Sequence, residues 1–203
     1  MNWSRAYDAL YRRGAPWEIG PRPELVRLVQ DGRLDPTTHP RSLDLGCGSG
    51  ANTVFMAEHG FLAAGVDFSA VALAKAQRLA AERGVGEQVR WFRGDLTRVD
   101  AAPPETFDVL VDYGTFDDLL ETGRVAMTAL IHRMTHPGSL FLLWCFYGRR
   151  DELPWISFDG ASKLTPAIRP GEVKRRFGEA FDIERLPEPP PGSREACFLL
   201  TRR

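Results

Sequence analysis

The chain has 203 residues, is 43% hydrophobic and 26% charged, and carries a net charge of −1. That length buries one substantial core and demands no second domain, so 1–203 reads as a single unit. Charges this evenly balanced give no electrostatic reason to expect nucleic acid or an anionic membrane as partner. The cysteines, Cys47, Cys145 and Cys197, are odd in number and far apart, which argues against disulfides and metal. With no apolar leader and no apolar run of about 18 residues, the expected location is cytoplasmic, as a monomer or homodimer.

Strand and helix signals alternate from residue 42 onward. Residues 42–46 predict a first strand, and Asn52–His59 a helix stopped by Gly60. Leu62–Val66 predicts a second strand, Ser69 an N-cap, and Val71–Glu82 a helix closed by Gly84. Strands follow at Val89–Phe92, Phe107–Asp112 and Ser139–Phe146, the last apolar on both faces. Residues 149–169 hold Pro154, Gly160 and Pro166 and form a loop longer than a compact domain normally keeps without a role, here read as a cover over the site. Gly171–Phe181, opened by Pro170, predicts a helix with Val173, Phe177 and Phe181 on one face. Phe181–Leu186 and Ala196–Thr201 predict an antiparallel closing pair around Pro189, Pro190 and Pro191. This order predicts an α/β chain: a Rossmann-like, doubly wound, mostly parallel seven-stranded sheet with an antiparallel closing strand. Residues 1–40 lead in, 41–148 form the core, and 149–203 supply the cover and closing strands.

The first strand opens into Gly46, Gly48 and Gly50, and the second ends on Asp67. Glycine has no Cβ, so three at alternate positions let the chain turn sharply and let backbone N–H groups approach a ligand. A carboxylate at the tip of the neighbouring parallel strand lies where it can accept both hydroxyl protons of a ribose. Together they describe a nucleoside site. The dinucleotide fingerprint is G-x-G-x-x-G with a pyrophosphate at the helix start. Here Asp44 precedes the first glycine; a carboxylate there repels a pyrophosphate and suits a cationic amino acid group. An NAD-dependent oxidoreductase is therefore the disfavoured alternative, and a non-catalytic binding module that keeps the fold is a second.

The run Leu43-Asp-Leu-Gly-Cys-Gly-Ser-Gly50 resembles the S-adenosylmethionine loop of class I methyltransferases. The resemblance implies S-adenosylmethionine as cofactor, with S-adenosylhomocysteine as product, and Asp67 on the ribose. It implies Asp95 at the adenine amino group, the Leu96 backbone N–H beside it, and Phe68 beneath the ring. Tyr7-Asp8-Ala-Leu10-Tyr11, then Gly14-Ala-Pro16-Trp17-Glu-Ile-Gly20 and Pro21-Arg22-Pro23-Glu-Leu25, resembles the leading segment of the thiopurine, thiol and halide methyltransferases. That implies an N-terminal helical lid folded over the cofactor, with Trp17 packed against it; Arg22 stands where those relatives often carry glutamine. The likeness covers the lid and the first four strands, and past residue 149 it is architectural only.

The fourth strand ends in Asp112-Tyr113-Gly114-Thr115-Phe116, where acceptor and sulfonium should meet. Asp112 and Tyr113 could orient a nucleophile or close the methionine end of the cofactor, and Tyr11 is a further catalytic candidate. Tyr7, Tyr11, Tyr113, Phe116 and Trp155 make the expected acceptor wall. His39, His59, His132 and His136 fall at the surface or away from the crevice, and Cys47 reads as a packing residue. The resemblance then implies in-line methyl transfer to a small molecule through a sulfur, nitrogen or oxygen nucleophile, driven by proximity and desolvation. An anionic acceptor would need no base.

Overall fold

A computed structural model describes residues 3–98, 101, 103–149 and 167–203. The expected cover loop, Trp155 included, lies almost wholly outside them. In chain order the elements are α1 (Trp3–Arg13), α2 (Pro23–Gln30), β1 (Arg41–Leu45), α3 (Ala51–Glu58), β2 (Leu62–Asp67), α4 (Ala70–Glu82), β3 (Val89–Arg93), β4 (Val109–Tyr113), α5 (Glu121–Met134), β5 (Leu140–Phe146), α6 (Glu172–Phe177), β6 (Phe181–Arg185) and β7 (Glu195–Arg202), with a short 3₁₀ turn at Gly86–Gln88.

The seven strands form one sheet in the order β3-β2-β1-β4-β5-β7-β6. Strands β1 to β5 are parallel, and β7 runs antiparallel to both β5 and β6. The chain steps outward from β1 to β3 and then returns to lay β4 on the other side of β1. That reversal opens a crevice at the carboxyl ends of β1, β2 and β4.

Side-chain alternation along the strands divides the interior into two cores. Leu43, Leu45 and Leu110 face α5 and α6, packing with Met127, Ile131, Phe141 and Phe177. Val109, Val111 and Leu142 face the other way, with Leu25 and Leu28 of α2 and Val54 and Phe55 of α3. The same period of two sends Asp44 to the α3 side and Asp112 to the α5 side.

The first 40 residues therefore divide. Helix α2 is embedded in the second core, Leu25 at 0% and Leu28 at 2% exposure, while α1 and the stretch to Arg22 overlie the crevice. The final helix is shorter than its apolar spacing predicts. It stops at Phe177 because Gly178 follows, and Phe181 instead pairs with Arg202 as the first residue of β6. Phe177 and Phe181 still share one core. Similarly, β4 starts at Val109, since the Phe107 and Asp108 amides bond to Met134 and Arg41 carbonyls at the strand's entry. No helix of the described residues is long and apolar enough to cross a membrane.

Candidate functional site

The loop between β1 and α3 takes its shape from its glycines. Gly46, Gly48 and Gly50 have φ of +73°, +53° and +85°, a region costing other residues about 1–2 kcal/mol. Space is as limiting as conformation. A Cβ on Gly46 would lie 1.9 Å from Thr115 Oγ1, one on Gly48 2.6 Å from Tyr11 Oη, and one on Gly50 2.7 Å from Ala76 Cβ. The loop is thus gripped by the β4–α5 loop, the lid and α4 together. Cys47 is buried beneath it with its thiol pushed up by burial, which leaves it protonated and packed against Gly65.

Two buried carboxylates frame this loop. Asp44 is 3% exposed and accepts from Thr53 Oγ1 on α3 at 2.8 Å; burial raises its pKa to about 7. Asp67, 5% exposed, accepts from the Gly48 amide at 2.9 Å and the Ser69 amide at 2.7 Å, and burial raises its pKa too. A carboxylate has about four acceptor positions, so each Asp67 oxygen keeps one for a ligand.

The lid is fastened by polar contacts on both sides of Asp67. Asp8 accepts from Ser69 Oγ at 2.5 Å and from the Val71 amide at 3.3 Å, capping α4 from α1. Ser4 Oγ donates to the Phe68 carbonyl at 3.3 Å, and Lys75 of α4 pairs with Glu18 at 2.8 Å. Across the crevice, Tyr7 Oη donates to Asp118 at 3.1 Å. Trp17 Nε1 donates to Tyr11 Oη at 3.0 Å, and Tyr7 lies edge-on to Phe68 at 5.2 Å.

Between the lid stretch and the glycine loop lies a solvent-open cleft walled by Tyr11, Trp17, Ile19, Arg22, Asp44, Gly46, Gly48, Asn52 and Tyr113 among others. Tyr11, Trp17, Asp44 and Tyr113 thus line one cleft, with Asp67 and Phe68 at the neighbouring strand end. Tyr113 stacks on Trp144 at 6.0 Å, donates to Glu24 at 3.3 Å, and has its hydroxyl pKa raised by burial.

Four other candidates lie outside the cleft wall. Phe116 is 0% exposed in the α5/α6 core, 5.7 Å from Phe177, and is a packing residue rather than part of the acceptor wall. Asp112 is 0% exposed, with its oxygens accepting from the Thr115 and Phe116 amides at 3.1 Å; it turns the β4–α5 loop and does not line the cleft. Burial and nearby Asp117 push its pKa well up. Asp95 is exposed and accepts from the Thr97 amide at 2.9 Å, and Leu96 beside it is buried at 5%. None of the four histidines lines the cleft; His136, for one, pairs with Asp108 at the opposite end of the sheet.

The sequence reading overlooked Asp8, whose only signal is its place on the polar side of α1. It also overlooked the buried Arg124–Glu172–Arg176 cluster joining α5 to α6, in which Arg124 also donates to the Asp117 and Ala167 carbonyls.

A methyltransferase-domain family model matches residues 43–138, from β1 to the end of α5. A 2-heptyl-1-hydroxyquinolin-4(1H)-one methyltransferase of Mycobacteroides abscessus is 30% identical over 132 residues, 64% of this chain and 56% of that protein, so the chain spans little more than half of that relative. Among solved structures, the glycopeptide N-methyltransferase MtfA complexed with S-adenosylmethionine superposes with a TM-score of 0.70 at 19% identity, covering 92% of this chain and 96% of that one. The Burkholderia thailandensis 1,6-didemethyltoxoflavin-N1-methyltransferase, with its substrate and S-adenosylhomocysteine bound, gives 0.71 at 20% identity over 98% and 87%. At these identities the structural likeness establishes the fold.

Proposed function

We propose that the chain is a class I S-adenosylmethionine-dependent methyltransferase whose acceptor is a small, planar or polarisable molecule that reaches the site already anionic or strongly nucleophilic. The observation that carries this reading is the cleft wall itself: aromatic Tyr11, Trp17 and Tyr113, and among its described residues no histidine and no carboxylate free to act as base. Asp112 is occupied by backbone amides, and Asp44 is engaged by Thr53.

The residues present fit the family's cofactor. The glycine loop gives backbone amides a close approach, Asp67 retains acceptor positions for a sugar diol, and Phe68 offers a half-buried aromatic face. When bound, S-adenosylmethionine supplies a methyl group already activated by its sulfonium. The protein's part is alignment and dryness. Tyr7, Tyr11 and Trp17 close over the crevice, and Tyr113 stacked on Trp144 gives a flat wall for a planar acceptor. Holding the reacting atoms in near-attack geometry supplies roughly 7–11 kcal/mol. A general base adds only about 10²–10⁴-fold, which an anionic acceptor does not need. Within this reading the hydroxyquinolone and toxoflavin-like acceptors of the two relatives set the expected size and flatness.

Transfer from labelled S-adenosylmethionine to a panel of hydroxyquinolones, thiophenols, phenols and heteroaromatic amines tests it. The rate should track the acceptor's own ionisation across pH. Silence over the whole panel, or a pH limb that stays fixed while the acceptor pKa varies, would overturn it.

A further inference from the structure

The strand order gives the crevice two ends. Asp67 closes β2, whereas Tyr113 closes β4 and its stacking partner Trp144 belongs to β5, on the far side of β1. Three strand spacings put about 14 Å between β2 and β5. With the sugar diol assigned to the β2 end, the β4–β5 end is left to the methyl acceptor.

Arg22 belongs to this second end. Pro21 and Pro23 flank it, and a residue before proline is restricted to extended backbone, as its φ of −71° and ψ of 137° show. Its amide donates to Asn52 Oδ1 at 3.0 Å, which anchors it against α3. The half-buried side chain lines the cleft, its guanidinium carbon 5.6 Å from the centre of the Tyr113 ring and 5.9 Å from that of Trp144. Among the described residues no carboxylate comes within ion-pair distance of it, whereas Lys75 is taken up by Glu18 and Arg27 by Glu188. The acids nearest this wall have other partners: Glu24 of α2 accepts from Tyr113 Oη, and Asp44 of β1 accepts from Thr53.

Aromatic faces attract a guanidinium far less than an anion does, so an anion entering here gains a charge-assisted hydrogen bond without breaking an ion pair. The rest of the wall is apolar: Ile19, 54% exposed, stands on it with Tyr113. A small inorganic anion would match the charge and leave these side chains uncovered. A neutral aromatic would match them and leave the guanidinium without a partner. An aromatic anion matches both.

We propose that Arg22 is the receptor for the acceptor's charge: it hydrogen-bonds the oxyanion or thiolate of an aromatic acceptor lying against Tyr113, and so tells the acceptor from its own methylated product, in which that charge is gone. The proposal rests on the anionic-acceptor reading above and makes no use of Arg22 toward the cofactor.

Calorimetry on the full chain saturated with S-adenosylhomocysteine, where no transfer can occur, tests it with two matched pairs: thiophenolate against thioanisole, and ionised 1-hydroxyquinolin-4(1H)-one against its O-methyl ether. The parent should hold each anion at least about tenfold tighter than its ether, and Arg22→Met should weaken the anions by about 10- to 100-fold, the range of a charge-assisted hydrogen bond. The ethers, and S-adenosylhomocysteine titrated alone, should stay within about twofold, the latter also reporting that the variant is folded. Arg22→Lys should recover part of the loss, as a point charge lacking the guanidinium fork. Equal weakening of anion and ether would make Arg22 a packing residue of the wall and overturn the proposal. A matching loss of S-adenosylhomocysteine affinity would assign the guanidinium to the cofactor and overturn it equally. The two readings fail separately: turnover that tracks acceptor ionisation in a parent lacking this binding preference sinks only the role of Arg22. The preference in a chain that methylates none of the panel upholds Arg22 as the anion receptor and sinks the acceptor reading.

Discussion

The glycine loop gives two substitutions of identical chemistry and unequal expected consequence. In Gly50→Ala the new methyl sits 2.7 Å from Ala76 Cβ, 2.8 Å from the Trp91 ring and 3.1 Å from the Ala76 Cα, with φ at +85°. Ala76 is fully buried on α4, and the backbone it approaches cannot rotate away. The left-handed conformation costs about 1–2 kcal/mol and the overpacking about 1–3, together about 2–5 kcal/mol. For a chain of this size that lowers the melting temperature by about 4–20 °C. In Gly48→Ala the obstacle is Tyr11 Oη at 2.6 Å, the far end of a lid side chain, and the next atom stands at 3.5 Å. Moving the lid relieves the clash at the expense of some of its own contacts, so stability should fall by the backbone strain and a part of the lid's docking while the lid shifts over the loop. Adding Tyr11→Phe removes the obstructing oxygen, and the double variant should be more stable than the two single losses predict, by at least about 0.5 kcal/mol. Thermal and denaturant unfolding of the four proteins measures this. A Gly50→Ala protein melting within about 2 °C of the parent, or an additive Gly48/Tyr11 cycle, would refute the packing argument.

The buried carboxylates supply two more tests. Asp44 has its pKa raised to about 7 by burial, so a cationic ligand group that favours its ionised form must displace a proton on binding at lower pH. S-Adenosylhomocysteine affinity should therefore climb with pH, by up to about tenfold per unit, and level off above about 7. Asp44→Asn should flatten that profile in calorimetry, and a persisting slope would count against the assignment. Asp67→Ala strips acceptors from the Gly48 and Ser69 amides at about 1–3 kcal/mol each and so confounds folding with binding. Asp67→Asn keeps an acceptor for only one of the two amides, which bond to different oxygens, so it should cost about 1–3 kcal/mol of stability, less than Asp67→Ala, while cutting affinity at least about tenfold; unaltered affinity would remove Asp67 from the site.

The sheet and its crevice were legible because their signals are local. Glycine spacing, a strand-ending acid and the switch from period 2 to helical runs each depend on a few adjacent residues. The errors came where tertiary contacts decide. Phe116 and Asp112 follow the same strand as Tyr113, and their neighbourhood suggested a shared wall. Yet Asp112 alternates with Val111 and Tyr113, so β4 turns it to the α5 side, and the tight turn it caps carries Phe116 inward after it. Val173, Phe177 and Phe181 kept helical spacing across a real boundary because a helix and the strand after it bury their apolar residues in one core. For Arg22 the sequence offered only a departure from the relatives' glutamine; its neighbours Asn52, Tyr113 and Asp44 are brought beside it by the fold.

The lid's fastenings explain how a cleft so covered can exchange its ligand. Apart from the capping by Asp8, they are partly exposed contacts: Ser4 to the Phe68 carbonyl, Tyr7 to Asp118 and Lys75 to Glu18. Each is worth about 0.5–1.5 kcal/mol. Burial of Tyr11 and Ala15 adds roughly 2–3 kcal/mol. Detaching α1 breaks these contacts and the Asp8 cap but leaves both cores packed, so the lid can open while the sheet holds. The contacts that close it lie on the β2–α4 junction and on the β4–α5 loop, the two chain segments that flank Asp67 and the β4 tip. A ligand spanning those segments and contacting the lid from below adds to the same closed arrangement, so cofactor affinity and lid order rise together.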